Sequence, residues 1–160
     1  MAAQRGVYTV VFDQQTIAAA SGDYDFFELT PADDKPIEIV ALKLANKSEL
    51  GDAQEEMVAY SIVRGNATTG NGTTTTPRPL DPSDGAASFT AKVVGSTPAS
   101  AGTAITSVAD TFNIRGGLNE IYPEVMRTKA SQADGTLCVR LLTALADDAT
   151  MSGTVWVREL

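Results

Sequence analysis

An all-β chain, folded as a jelly-roll-like antiparallel β-sandwich of roughly eight to nine strands, is what the sequence predicts. Three observations carry that expectation. Gly, Pro, Asn and Asp recur at short intervals from end to end, and such residues punctuate turns. The segments between them are too short for ordinary helices and rich in β-branched and aromatic residues. Several of those segments alternate apolar and polar side chains with a period of two, the signature of a half-buried strand.

The elements follow in order. Val7-Tyr8-Thr9-Val10-Val11-Phe12 is β-branched and aromatic throughout and makes the first strand. Tyr24 to Leu29 makes the second, and it stops at a turn bracketed by Pro31 and Pro36, whose rings preset φ. In Ile37 to Ala45 the apolar phase opens on Ile37 and Ile39, then moves to Val40, Leu42 and Leu44. Either both faces of this strand are buried, or a bulge near residue 40 changes which face points inward. Val58, Tyr60 and Ile62 alternate in the next strand, and Phe89, Ala91 and Val93 in another. Ile105 to Ile114, Glu124 to Lys129, Leu137 to Leu142 and Met151 to Val157 complete the set. Leu137 to Leu145 also has helix formers at i, i+3 and i+4; its length and the flanking Gly135 favour a strand.

One domain, residues 1–160, accommodates all of this, because 160 residues are enough to enclose a core without disulfides. The hydrophobic fraction of 43% and charged fraction of 20% describe a globular protein and not a disordered one. Residues 1 to 6 read either as an N-terminal arm laid onto a neighbour or as a frayed terminus. Asn66 to Arg78, NATTGNGTTTTPR, contains no large apolar residue and reads as a long polar loop.

Composition narrows the chemistry. Histidine is absent, which removes the commonest general base and the commonest transition-metal ligand, so Ser-His-Asp and Cys-His machinery are excluded. The acid pairs Asp33-Asp34, Glu55-Glu56 and Asp147-Asp148 sit at expected turns, and neighbours along a strand point to opposite faces. Neither member of such a pair can oppose the other across a substrate. Gly70-Asn71-Gly72 and Arg115-Gly116-Gly117 do not continue into a nucleotide fingerprint. No catalytic residue, cofactor or metal is therefore expected. A net charge of -8, with the cations scattered singly, disfavours nucleic acid and anionic membranes. No apolar run is long enough to span a bilayer, and MAAQRGVYTVVF lacks the apolar core of an export signal. The single Cys138 lies in an apolar run and is expected to pack as a small hydrophobe.

The succession PADDKPIEI (31–39), the corner GDAQEE (51–56), LDPSDGAASFTA (80–91) and the ending SQADGTLCVRLLTALADDATMSGTVWVREL (131–160) resemble a group of small proteins encoded by tailed bacteriophages. The resemblance spans most of the chain, and it rests on turns and strand patterns, so it implies no catalytic residues. It implies a virion component, and more closely a head decoration or cement protein: a jelly roll assembled as a homotrimer, binding the major capsid protein on the capsid exterior after synthesis in the host bacterial cytoplasm. The rival reading is a tail- or fibre-associated jelly roll that binds a receptor or carbohydrate. Candidate contact residues are Arg5 and Val7 at the first strand, Asn66, Asn71 and Arg78 in the polar segment, and Tyr122 and Trp156, large amphipathic side chains of the type enriched at interface hot spots. For Trp156, between Val155 and Val157, core packing is the competing expectation.

Overall fold

Among the described residues, twelve strands pair into two six-stranded antiparallel sheets. A computed structural model describes residues 6–19, 22–49 and 55–160 of the chain. Strands β1 (Val7–Ile17), β2 (Tyr24–Thr30), β3 (Ile37–Asn46) and β4 (Met57–Asn66) come first. Three more, β5 (Thr73–Thr75), β6 (Arg78–Pro79) and β7 (Thr90–Gly95), form an insert. The chain closes with β8 (Ile105–Asn113), β9 (Leu118–Ile121), β10 (Lys129–Ala130), β11 (Thr136–Leu141) and β12 (Ala149–Glu159).

The eight principal strands nest. β1 pairs with β12, β2 with β11, β3 with β9 and β4 with β8, so the chain is a long hairpin whose two arms pair from the ends inward. β12 also pairs with β3, and β11 with β4, which rolls that hairpin into two layers. The first sheet runs β6-β1-β12-β3, with β9 and β10 both on the far side of β3; the second runs β5-β7-β2-β11-β4-β8. This nested order is the jelly roll. The insert does not disturb it, because β5 and β7 extend the second sheet beyond β2 while β6 caps the first beyond β1.

Alternation along the strands puts the core between the sheets. In β12, Ala149, Met151, Gly153, Val155 and Val157 are buried while the residues between them are partly exposed. Phe12 meets Phe26 and Phe27 at centroid separations of 6.2 and 5.2 Å, and Tyr60 meets Phe112 at 6.0 Å. Gly153 is small for a reason: a Cβ there would stand 2.5 Å from the Phe12 ring. The phase shift in β3 is a bulge, since Trp156 pairs with Ala41 but Val157 with Ile39, leaving Val40 as the extra residue. Leu137 to Leu141 is strand, as its length suggested.

Three sequence expectations need correction. Glu124 to Arg127 is not a strand: Pro123 supplies no N–H to a ladder, Glu124–Met126 forms a 3₁₀ turn, and the strands of this region flank it as β9 before and β10 from Lys129. Asn66 to Arg78 is not loop throughout. Thr73–Thr75 pairs with Val93 to Ala91, and Arg78 with Thr9, because β-branched threonine suits an edge strand even without an apolar side chain. The strand total exceeds eight or nine because β5, β6 and β10 are only two or three residues long, too short to register as periodicity.

Candidate interaction surface

The outer faces of the two sheets are built differently, and polar residues inside apolar strands account for both. In β2 the carboxylates of Asp25 and Glu28 are buried on the outer side of the second sheet, and Arg140 comes beside them from β11. Asp25 grips Arg140 through two bonds, Nε to Oδ1 at 2.6 Å and Nη2 to Oδ2 at 3.1 Å. Two loops cross above them. Residues 66–72 and 95–104 bond to each other, Thr68 and Ser100 exchanging both backbone bonds at 2.9 Å. The loops are fastened down through Ala99, whose N–H donates to Asp25 Oδ2 at 2.6 Å and whose carbonyl accepts from Arg140 Nη2 at 2.7 Å.

Glu28 accepts the Gly70 N–H at 2.8 Å, an approach that only glycine permits because a Cβ would lie 2.3 Å from the Thr97 carbonyl. Burial pushes the Glu28 carboxyl above the ordinary carboxylate range, with Gly70 and Lys92 opposing that rise. Cys138 is fully buried under the same cover, and burial raises its thiol pKa, so it is an unreactive packing residue. Over β2 and β11 this face is closed, while β8 at its edge is largely exposed.

Among the described residues, the outer face of the first sheet is covered at one end only. Glu38 projects from β3 away from the core, yet it is fully buried. Arg127 reaches its Oε1 at 2.8 Å and Arg158 at 2.6 Å, while Lys129 approaches Oε2 at 3.5 Å. The segment that supplies Arg127 is pinned at both ends to the β3 bulge, by Tyr122 N–H to the Val40 carbonyl at 2.9 Å and Ile39 N–H to the Thr128 carbonyl at 3.1 Å. Arg127 Nε donates to the Tyr122 carbonyl at 3.1 Å and closes the loop on itself.

What this anchored turn presents outward is apolar. Val125 is 94% exposed, Ile121 74% and Met126 62%. Trp156 lies in the same layer: Arg78, Thr9, Trp156, Ala41 and Ile121 form one cross-strand row over the outside of the first sheet. Val11 adds a further exposed apolar side chain one step along β1. The neighbouring depression, about 440 Å³ and lined by Val11, Asp13, Lys43, Ala45 and Thr154, is shallow and mixed in polarity. Around the turn stand Arg127, Lys129 and Arg158, with Glu124 contributing the opposing charge. A rigid apolar ridge with a charged rim suits protein contact.

The candidate contacts from the sequence divide between these faces. Arg78 is exposed and Trp156 half-buried, both on the open face, so Trp156 is not a core residue. Asn66 and Asn71 belong to the crossed loops. Asn66 is buried and donates to the Ala101 carbonyl at 3.2 Å; Asn71 ties Ser96 at 3.0 Å and the Thr97 N–H at 2.8 Å. Asn66 thus works inside the molecule, whereas Asn71 stays exposed while its side chain holds the loop. Tyr122 is buried near Tyr60, its hydroxyl pKa raised by burial, and Val7 is buried at the start of β1. Of the expected arm at 1–6, residues 1–5, including Arg5, lie outside the described residues, while Gly6 donates to Asp84 Oδ2 at 2.8 Å and accepts from the Glu159 N–H at 2.8 Å. Ile121, Val125 and Met126 were missed because one was expected in a connection and two in a strand.

Among the described residues no three His, Cys, Asp or Glu side chains group as metal ligands, and no helix is long and apolar enough to cross a membrane. Comparisons with protein-family models, curated proteins and solved structures found no match.

Proposed function

We propose that the chain is a capsid decoration protein of a tailed bacteriophage, which binds the major capsid protein of the assembled head and stabilises it without catalysing a reaction. The resemblance of its turns and strand patterns to small phage proteins supports this reading. So does the jelly-roll sandwich, a rigid body with both termini of the nested hairpin on one sheet. The observation that carries it is the apolar ridge near Trp156, formed by Ile121 at the end of β9 and by Val125 and Met126 on the turn that the Glu38 ion cluster anchors. Folding alone gives no reason to anchor three apolar side chains in water.

Binding to the assembled shell alone shifts assembly by mass action, by about 2.7 kcal/mol per site when the protein is present at 100 times its Kd. Three linked copies, the homotrimer that the resemblance implies, would add avidity without new kinds of contact. The test mixes purified protein with heads prepared without it. Co-sedimentation and a higher head melting temperature are the expected result. Binding to a glycan array with no affinity for heads would replace this reading with a receptor-binding one.

A further inference from the structure

The cations of this chain stand singly in the sequence, and the fold gathers them. Alternation sends Lys43 of β3, Arg78 of β6, Lys129 of β10 and Arg158 of β12 to the outer face of the first sheet, where Arg127 joins them from the anchored turn. Five of the chain's twelve cations therefore share one face. Three carboxylates stand among them: Glu38, Glu124 and Asp13, the last accepting the Ser152 hydroxyl at 2.8 Å. Glu120 and Glu159 turn the other way, Glu120 lying opposite the core residue Leu42 and Glu159 accepting the N–H groups of Ser88 and Phe89. Five cations against three carboxylates leave a net +2 on this face of a chain whose net charge is -8, so everything else sums to -10.

One buried carboxylate does not neutralise the three cations that converge on it. Arg127, Arg158 and Lys129 stand 2.8, 2.6 and 3.5 Å from the Glu38 oxygens, and half of the Lys129 side chain remains in solvent. Glu124, which Arg158 meets at 3.5 Å, is 73% exposed and offsets little in water. Lys43 and Arg78 are exposed and make no ion pair among the described residues. These cations flank the apolar residues. Arg127 follows Met126 directly, and Lys43 stands two residues along β3 from Ala41. Arg78 closes the far end of the row that runs through Trp156 and Ala41 to Ile121, about 19 Å in all at the spacing of paired strands. An apolar strip with cations on its flanks is complementary to one flanked by carboxylates, and it repels its like.

We propose that this face docks on an acidic protein surface of the assembled head, where carboxylates of the shell meet Lys43, Arg78 and Lys129 around an apolar patch that receives Ile121, Val125 and Met126. The inference rests on the head-binding reading and adds the partner's chemistry to it. Charge asymmetry orients the encounter, because a negative shell attracts this face and repels the remainder of the molecule. The same remainder repels duplex nucleic acid, whose charge extends beyond a patch of this size.

The test measures association rate and affinity for heads prepared without the protein, from about 0.1 M to about 1 M salt, over which the screening length falls from about 10 Å to about 3 Å. Wild type should associate about tenfold more slowly at the high end, since rim charges act mainly on the encounter. Lys43→Glu and Arg78→Glu should each lower affinity about tenfold at low salt while melting like wild type, and the gap should close as salt rises. Thr68→Glu combined with Thr103→Glu makes the same change in net charge on the exposed roof loops and should leave binding within about twofold. Tight head binding that ignores salt and both reversals would overturn the acidic partner and leave head binding in place. Heads that bind no form of the protein would remove both readings. Salt-sensitive self-association that Lys43→Glu abolishes would assign the face to a second copy, and equal retention on duplex DNA would assign it to a polyanion; either result overturns the proposal.

Discussion

The outside of the second sheet and the outside of the first are both β-sheet surfaces, yet one is roofed and the other is mostly bare. Over the second, two loops cross and bury an Asp25–Arg140 pair that bonds to the backbone of the roof. Over the first, the Glu38 cluster fixes a single turn that offers Val125 and Met126 to solvent beside Ile121 at the end of β9. Both use a buried carboxylate with arginine, but to opposite ends. The first arrangement spends its charges holding the molecule closed, and the second holds an apolar ridge open, so the proposed binding falls on the face opposite the one that the roof stabilises.

The largest expected effect is on the roofed side. Asp25→Ala strands the Arg140 guanidinium beneath Ala99, and leaving a buried charge without its partner costs about 3–5 kcal/mol. Urea denaturation should reveal the loss, whereas a change below about 1 kcal/mol would show that the roof contributes little. Gly70→Ala comes next, since its Cβ would press on the Thr97 carbonyl and lift the loops from Glu28. A loss of about 1–3 kcal/mol is expected, with faster hydrogen exchange at Asn71, whose N–H bonds the Thr97 carbonyl.

Glu28 gives a smaller, pH-dependent effect. Its carboxyl pKa is raised in the folded protein, so the fold holds that proton more tightly than the unfolded chain does. Its stabilising contribution is full below the ordinary carboxylate pKa of about 4 and fades as pH rises through the raised folded value. Glu28→Gln keeps an acceptor for Gly70 and removes the charge. Its stability relative to wild type should therefore increase from about pH 4 to pH 7, and a flat difference would show that burial does not penalise this carboxylate. Smallest of all, Ile121→Ser or Val125→Ser should change stability by no more than about 0.5 kcal/mol, because neither side chain packs in the core.

The core was legible because sheets have a period of two, and strands such as Val58-Ala59-Tyr60-Ser61-Ile62 print it directly in the residues. The β3 bulge was legible as well, since only an extra residue reconciles Ile39 with Leu42. The outer faces were harder to read. Asp25, Glu28, Glu38 and Arg140 stand where alternation puts solvent, and nothing local in the sequence says that a distant loop covers them. Asp25 and Ala99 are 74 residues apart, and Glu38 and Arg127 are 89 apart. The one available signal was an acid set between apolar neighbours, as in Ile37-Glu38-Ile39. The ridge stayed hidden for a related reason: Val125 and Met126 suggest a buried strand by composition, and the 3₁₀ turn after Pro123, tied to the β3 bulge through Tyr122 and Thr128, leaves them exposed.

Head binding by the double variant Ile121→Asp, Val125→Asp tests the division of labour between the faces most directly. It should fold and melt like wild type while its affinity for undecorated heads falls at least about tenfold, since both exposed anchors would become charges buried against the shell. Wild-type affinity in a protein carrying both substitutions would contradict the account.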